Sequence, residues 1–321
     1  MTTSILVPLD GSPLAEQAIP VAEIVARATG AKIRLALVHQ LPPPPADRAS
    51  SQLYQSVELS VRKAESEYLH LMAKRVHDGD PSDTGTAFLE GPVGPALNEY
   101  AREIGADMIV MSTHGRGGVD RLWLGSVADY LVRTAELPVL LVRPTKEERP
   151  APAAVKPRRV LVPLDGSLLA EAVLEPATVL ATSLGAEVLL VQVVKPVAIV
   201  ADQPALFAAG YDERLTALWR QEAEDYLEDL AEDLRAKGVR ASSVAATGYA
   251  VHETLLDLAT ADSGTMIALA THGRGGLRRL MVGSVADKLI RTAEVPVLVV
   301  RPAKAPKRAT RPPRRRARQR A

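Results

Sequence analysis

The residues with the most chemical promise occur twice. Thr113-His-Gly-Arg-Gly-Gly118 recurs as Thr271-His-Gly-Arg-Gly-Gly276, and Gly125-Ser-Val-Ala-Asp129 recurs as Gly283-Ser-Val-Ala-Asp287. Glycines such as Gly115 and Gly273 let main-chain amides approach an anion closely and take backbone angles that a side chain resists. Gly125-Ser126 and Gly283-Ser284 read as helix starts, whose free N–H groups and positive dipole end favour a phosphate. Each charge–dipole contact contributes only about 0.3–1 kcal/mol, so several donors must act together. Arg116 and Arg274 can add a guanidinium to a phosphate. The plainer alternative is a turn followed by an ordinary helix cap. Recurrence of the whole cluster favours the anion reading, although shared ancestry of the copies also preserves such spacing.

An acid accompanies each cluster. Ile5-Leu-Val-Pro-Leu-Asp-Gly-Ser12 recurs as Val160-Leu-Val-Pro-Leu-Asp-Gly-Ser167, placing Asp10 and Asp165 just past a strand. A carboxylate there can accept from an adenine amino group or a ribose hydroxyl. The alternative is a turn before the first helix, with Ser12 and Ser167 as its caps. His114 and His272 read as structural hydrogen-bonding residues, because no nucleophile–base or carboxylate–His pair repeats with them. His39, His70, His77 and His252 are unmatched between copies and read as surface or packing residues. No G-x-x-x-x-G-K-[ST] is present, and Gly115-x-Gly117 has Asp120 where a dinucleotide fingerprint needs glycine.

These residues must be carried by alternating strands and helices. In the first copy the strands are expected at Ile5–Leu9, Ile33–Val38, Thr86–Leu89, Met108–Met111 and Val139–Val142. Helices are expected at Pro13–Thr29, about Ser51–His77, Val93–Ile104 and Gly125–Thr134, with the proline run Pro42–Pro45 as a loop. The fold class is therefore α/β: two tandem doubly wound, flavodoxin-like or Rossmann-like domains. Each would be a five-stranded parallel sheet with helices on both faces. In such a sheet ligands bind beyond the carboxyl ends of the strands, where the strand order reverses. If the first and fourth strands are neighbours, Asp10 and Gly115 share one crevice. The repeat offset is 155 residues at the first block and 158 at the later ones, so the second copy carries a net insertion of three. The divisions expected are domain 1 over 1–144, a Pro-rich linker over 145–157, domain 2 over 158–302 and a basic tail over 303–321.

Composition narrows the class further. The chain has 321 residues and no Cys, which excludes disulfides, thiolate metal sites and Cys nucleophiles. Two Trp, seven Tyr and two Phe leave the cores to aliphatic residues, as suits parallel sheets buried on both faces. The sequence predicts no membrane span, no signal peptide and a cytoplasmic location. The net charge of +1 hides nine Lys/Arg between Lys304 and Arg320, which leave an acidic body of net −8.

The chain resembles the universal stress protein family in its tandem, ATP-binding form, from Ile5 to Pro302. The family signature G-x2-G-x9-G-[ST] is matched by Ser112-x2-Gly115-x9-Gly125-Ser126 and by Ala270-x2-Gly273-x9-Gly283-Ser284, except that Ser112 and Ala270 replace its first glycine. The resemblance implies ATP as the ligand, with Mg2+ carried, if at all, on the phosphates. It implies that Asp10 and Asp165 contact adenine and that the backbones of Val38 and Val193 face the base. Pro8, Leu9, Pro163 and Leu164 would flank the pocket, Met111 and Leu269 would end the fourth strand beside it, and Val127 and Val285 follow the phosphate-contacting serines. It also implies a signalling or stress-response protein that changes state with nucleotide occupancy and meets a regulatory protein partner. The family pairs domains through strand five, so Pro138–Val142 and Pro296–Val300 are expected to pair within the chain, with a homodimer as a further option. Two alternatives stand beside this. One is a slow ATPase or nucleotidyl-transferring enzyme. The other is an interaction protein whose basic tail docks on nucleic acid or an acidic partner.

Overall fold

The computed structural model describes residues 3–40, 48–76, 84–114, 124–144, 155–199, 210–271 and 283–302. The strands of the first half are β1 (Ser4–Leu9), β2 (Lys32–Val38), β3 (Thr84–Leu89), β4 (Met108–Ser112) and β5 (Val139–Val142). Its helices are α1 (Pro13–Glu16), α2 (Ile19–Thr29), α3 (Arg48–Val76), α4 (Val93–Glu103) and α5 (Ser126–Thr134). The second half has β6 (Arg159–Pro163), β7 (Glu187–Val194), β8 (Ala198–Ile199), β9 (Gly210–Tyr211), β10 (Ala241–Thr247), β11 (Thr265–Ala270) and β12 (Val297–Val300). Its helices are α6 (Leu168–Glu171), α7 (Leu174–Leu184), α8 (Glu213–Ala236), α9 (Val251–Thr260) and α10 (Ser284–Thr292).

The helix expected over Pro13–Thr29 is broken into α1 and α2. Ser12 caps α1 by accepting from the Ala15 amide. Pro20 then sits at the start of α2, where its missing N–H cannot serve the Glu16 carbonyl, so the helix ends and restarts. Pro176 does the same between α6 and α7. Both second helices stop at a left-handed glycine, Gly30 at φ 73° and Gly185 at φ 66°. The long helix begins at Arg48 rather than Ser51, and the third strand at Thr84 rather than Thr86. The small antiparallel pair β8–β9 was not foreseen.

The strands form one ten-stranded sheet in the order β10-β7-β6-β11-β12-β5-β4-β1-β2-β3. Within each half of that sheet every pairing is parallel, the antiparallel β8–β9 pair standing apart from it. The halves meet through the one antiparallel step, β5 on β12, with Leu140 opposite Leu298. Two apolar clusters cover the faces and each continues through both halves. One gathers Val25, Leu35, Leu140, Leu190, Leu227 and Leu298; the other gathers Leu97, Ile109, Leu131, Leu141, Leu255 and Leu289. Helix α2 packs on α7 across the junction. The tail 303–321 and linker positions 145–154 lie outside the described residues.

Candidate functional site

The strand order reverses between β1 and β4, and again between β6 and β11. Ile5 pairs with Met108, which brings the ends of the two strands, Leu9 and Ser112, to the same edge. Asp10 and Thr113 are the next residues in each case. Leu9 also pairs with Leu37, so Val38 flanks Asp10 on its other side. In the second half Pro163 pairs with Val191, which sets Asp165 at the level of Val193. Pro8, Leu9, Val38 and Met111 are buried, as are Leu164 and Leu269; Pro163 and Val193 are partly buried. Asp10 is partly exposed and Asp165 exposed, as a ligand-facing carboxylate needs to be.

Helix α5 is seated on this edge by its first residues. The Gly125 amide donates to the Thr113 carbonyl at 2.8 Å. A Cβ at Gly125 would lie 2.9 Å from that carbonyl oxygen, so the position has room for glycine alone. Exposed Ser126 and partly buried Val127 follow, with Leu124, Ala128, Leu131 and Val132 buried beneath. Helix α4 steadies α5 from the side: Asn98 Nδ2 donates to Thr134 Oγ1 at 2.8 Å, and Gly94 lies so close to the Tyr130 ring that a Cβ would meet it at 2.2 Å. Helix α10 starts from a glycine of the same extended conformation, Gly283 at φ −56°, ψ 149°, with Ser284 exposed.

The start of the glycine loop is pinned by side chains. Ser112 Oγ donates to the His114 carbonyl at 2.8 Å, and the His114 Nδ1 lies 2.9 Å from Thr113 Oγ1. Ser112, which stands where the signature has its first glycine, is buried and turned back on its own chain. Ala270 has no hydroxyl to do this. Asp10 Oδ1 accepts from the Ser12 amide at 2.9 Å, and Asp165 Oδ1 from the Ser167 amide at 3.0 Å. Each aspartate therefore makes a turn while Ser12 and Ser167 cap the helices, and each still sits at the switch-point edge. Gly115, Arg116, Gly273 and Arg274 lie outside the described residues, as does His272. The described part fits a nucleotide phosphate: a helix start with unfilled donors is held at the crevice by a glycine that no larger residue can replace. Among the described residues no group of three His, Asp or Glu could hold a metal ion.

Sequence reasoning missed a polar cleft of about 430 Å3 beside Val38, lined by His39, Tyr54, Glu58, Arg62 and Glu90 among others. His39 is buried, its Nδ1 2.6 Å from Glu65 Oε2 and its ring 5.6 Å from Phe88. Arg62 bridges Glu58 at 2.9 Å and Glu90 at 2.5 Å, and its hydrogen bond holds Glu90 below the usual carboxylate range. The repeat and the strand register put Val194 and Thr247 where the first half has His39 and Glu90. The cleft therefore has no copy, and repetition, which singled out the other residues, gave no signal here.

The model of the universal stress protein family matches residues 1–143 and 156–301. A universal stress protein of Mycobacterium tuberculosis is 32% identical over 212 residues, covering 64% of this chain and 65% of that protein. One from Thermus aquaticus is 36% identical over 143 residues, which cover 44% of this chain and all of that protein. Among solved structures, a universal stress protein from Archaeoglobus fulgidus superposes with a TM-score of 0.63 at 20% identity, covering 94% of this chain and 99% of that one. That likeness establishes the shared fold. No helix among the described residues is long and apolar enough to cross a membrane.

Proposed function

The chain belongs to the universal stress protein family, and from that premise we propose that it is an ATP-binding stress-response protein of the cytoplasm. Each half holds one nucleotide. The base lies between Asp10 and Val38 in one half and between Asp165 and Val193 in the other. The phosphates lie against the amides at Gly125-Ser126 or Gly283-Ser284, with Gly115, Arg116, Gly273 and Arg274 as further phosphate contacts. Any Mg2+ is brought on the nucleotide. Occupancy orders the glycine loops and so sets the surface offered to a regulatory protein.

The observation that carries this reading is the fit of Gly125 against the Thr113 carbonyl. A generic helix cap has no need of such contact. Here it brings the amino end of α5 onto the edge where β1 and β4 diverge, beside Asp10. Calorimetric titration of the purified chain with ATP tests the proposal. We expect saturable heat with up to two sites, lost when Asp10→Ala and Asp165→Ala are combined. Absence of both heat and thermal stabilisation at millimolar ATP would refute it.

A further inference from the structure

Arg143 follows β5 directly, yet it serves a helix of the other half. Its Nε donates to the Ala293 carbonyl at 2.9 Å, and its guanidinium also bonds the Arg291 carbonyl. Those oxygens belong to the last turn and C-cap of α10, where helical carbonyls have no partner of their own. The antiparallel step explains the meeting. It brings the carboxyl end of β5 to the amino end of β12, and α10, running back along β12, ends there.

We propose that Arg143 is a positioning residue for the nucleotide site of the opposite half, a role that rests on the ATP-binding reading above. Helix α10 has nine residues, so a clamp on its last turn fixes the aim of its first, Gly283-Ser284. The guanidinium also faces the negative end of the helix dipole and complements it. The two hydrogen bonds that the fork donates to these carbonyls set direction as well as charge, which a lysine ammonium cannot do. A second contact crosses the junction, Arg291 to Asp129 of α5 at 3.9 Å, but it is long and partly exposed. Arg291 is engaged at 2.9 Å by Asp287 of its own helix. An exposed ion pair of that kind contributes little, so the Arg143 clamp dominates. The repeat places Arg301 at the position equivalent to Arg143.

ATP calorimetry on the full chain in two single-site backgrounds tests the assignment. Gly125→Val closes the first-half site by collision with the Thr113 carbonyl, and Ser284→Glu closes the second with a like charge. We expect Arg143→Ala to weaken the remaining site roughly two- to fivefold in the Gly125→Val background, the scale of a cation at a helix C-terminus. In the Ser284→Glu background it leaves the first-half affinity unchanged. Arg143→Lys gives an intermediate loss and serves also if the alanine variant does not fold. Equal weakening in both backgrounds, or none in the first, overturns the proposal while leaving ATP binding intact. Hydrogen exchange on the unliganded chain gives a readout independent of nucleotide: Arg143→Ala accelerates amides 284–292 and spares 126–134. If the unmodified chain binds no ATP, the functional reading fails on its own. Unchanged protection at 284–292 then overturns the clamp as well.

Discussion

At the scale of the residue, Gly125 shows how much can depend on an absent methyl group. Its Cβ position is occupied by a backbone oxygen, not by a side chain that could swing aside. We expect Gly125→Ala to cost about 1–3 kcal/mol, the usual range for overpacking, and to weaken ATP binding in the first half. Urea denaturation and calorimetry on the same sample check both parts. Asp262 supplies a second prediction. Its carboxylate accepts from the Gly264 amide at 2.9 Å and from Arg158 at 2.8 Å, which together lower its pKa from the ordinary value. A depressed folded pKa stabilises the protein fully above the unfolded pKa of about 4. That contribution is lost as pH falls through the folded value. The stability gap between the native chain and Asp262→Asn is therefore expected to be constant near neutrality and to close in acid. Melting curves across pH 2–7 measure it, and a gap that widens on acidification would contradict the assignment.

At the scale of the element, the junction strands bear the most. Leu140 is fully buried, pairs with Leu298 and belongs to the apolar cluster that runs through both halves. We expect Leu140→Ala to destabilise the chain by about 2–5 kcal/mol, read as a lower denaturation midpoint. The junction was legible through the family resemblance, which pairs domains by strand five and so singled out the short apolar runs Pro138–Val142 and Pro296–Val300. Legible in the residues themselves were β1, β4 and α5, whose apolar runs and glycine punctuation recur. The break at Gln17–Ala18 was not, because the apolar spacing of α1 continues into α2 and Pro20 is acceptable at a helix start. The β8–β9 pair was invisible for another reason: two residues per strand carry no period. The turn made by Asp10 and the cap made by Ser12 were both foreseen as alternatives to a ligand role. The structure shows that they coexist with the aspartate's place at the crevice. The cleft of His39, Arg62 and Glu90 was beyond reach, since its charges come from three elements and meet only in space.

At the scale of the whole molecule, both apolar clusters and the α2–α7 contact cross the midline. Two similar halves sharing one core are expected to melt together. Differential scanning calorimetry of the intact chain should show a single transition whose van't Hoff and calorimetric enthalpies agree; two resolved peaks would mean the halves are energetically separate. The antiparallel step has a consequence for how the protein meets others. Turning one half against its neighbour points the carboxyl rims of the two five-stranded units in opposite directions. A partner that reads one nucleotide-ordered rim leaves the other facing away and open. On the proposed reading, strand direction alone then gives the chain two nucleotide-ordered faces on opposite sides, one for each half.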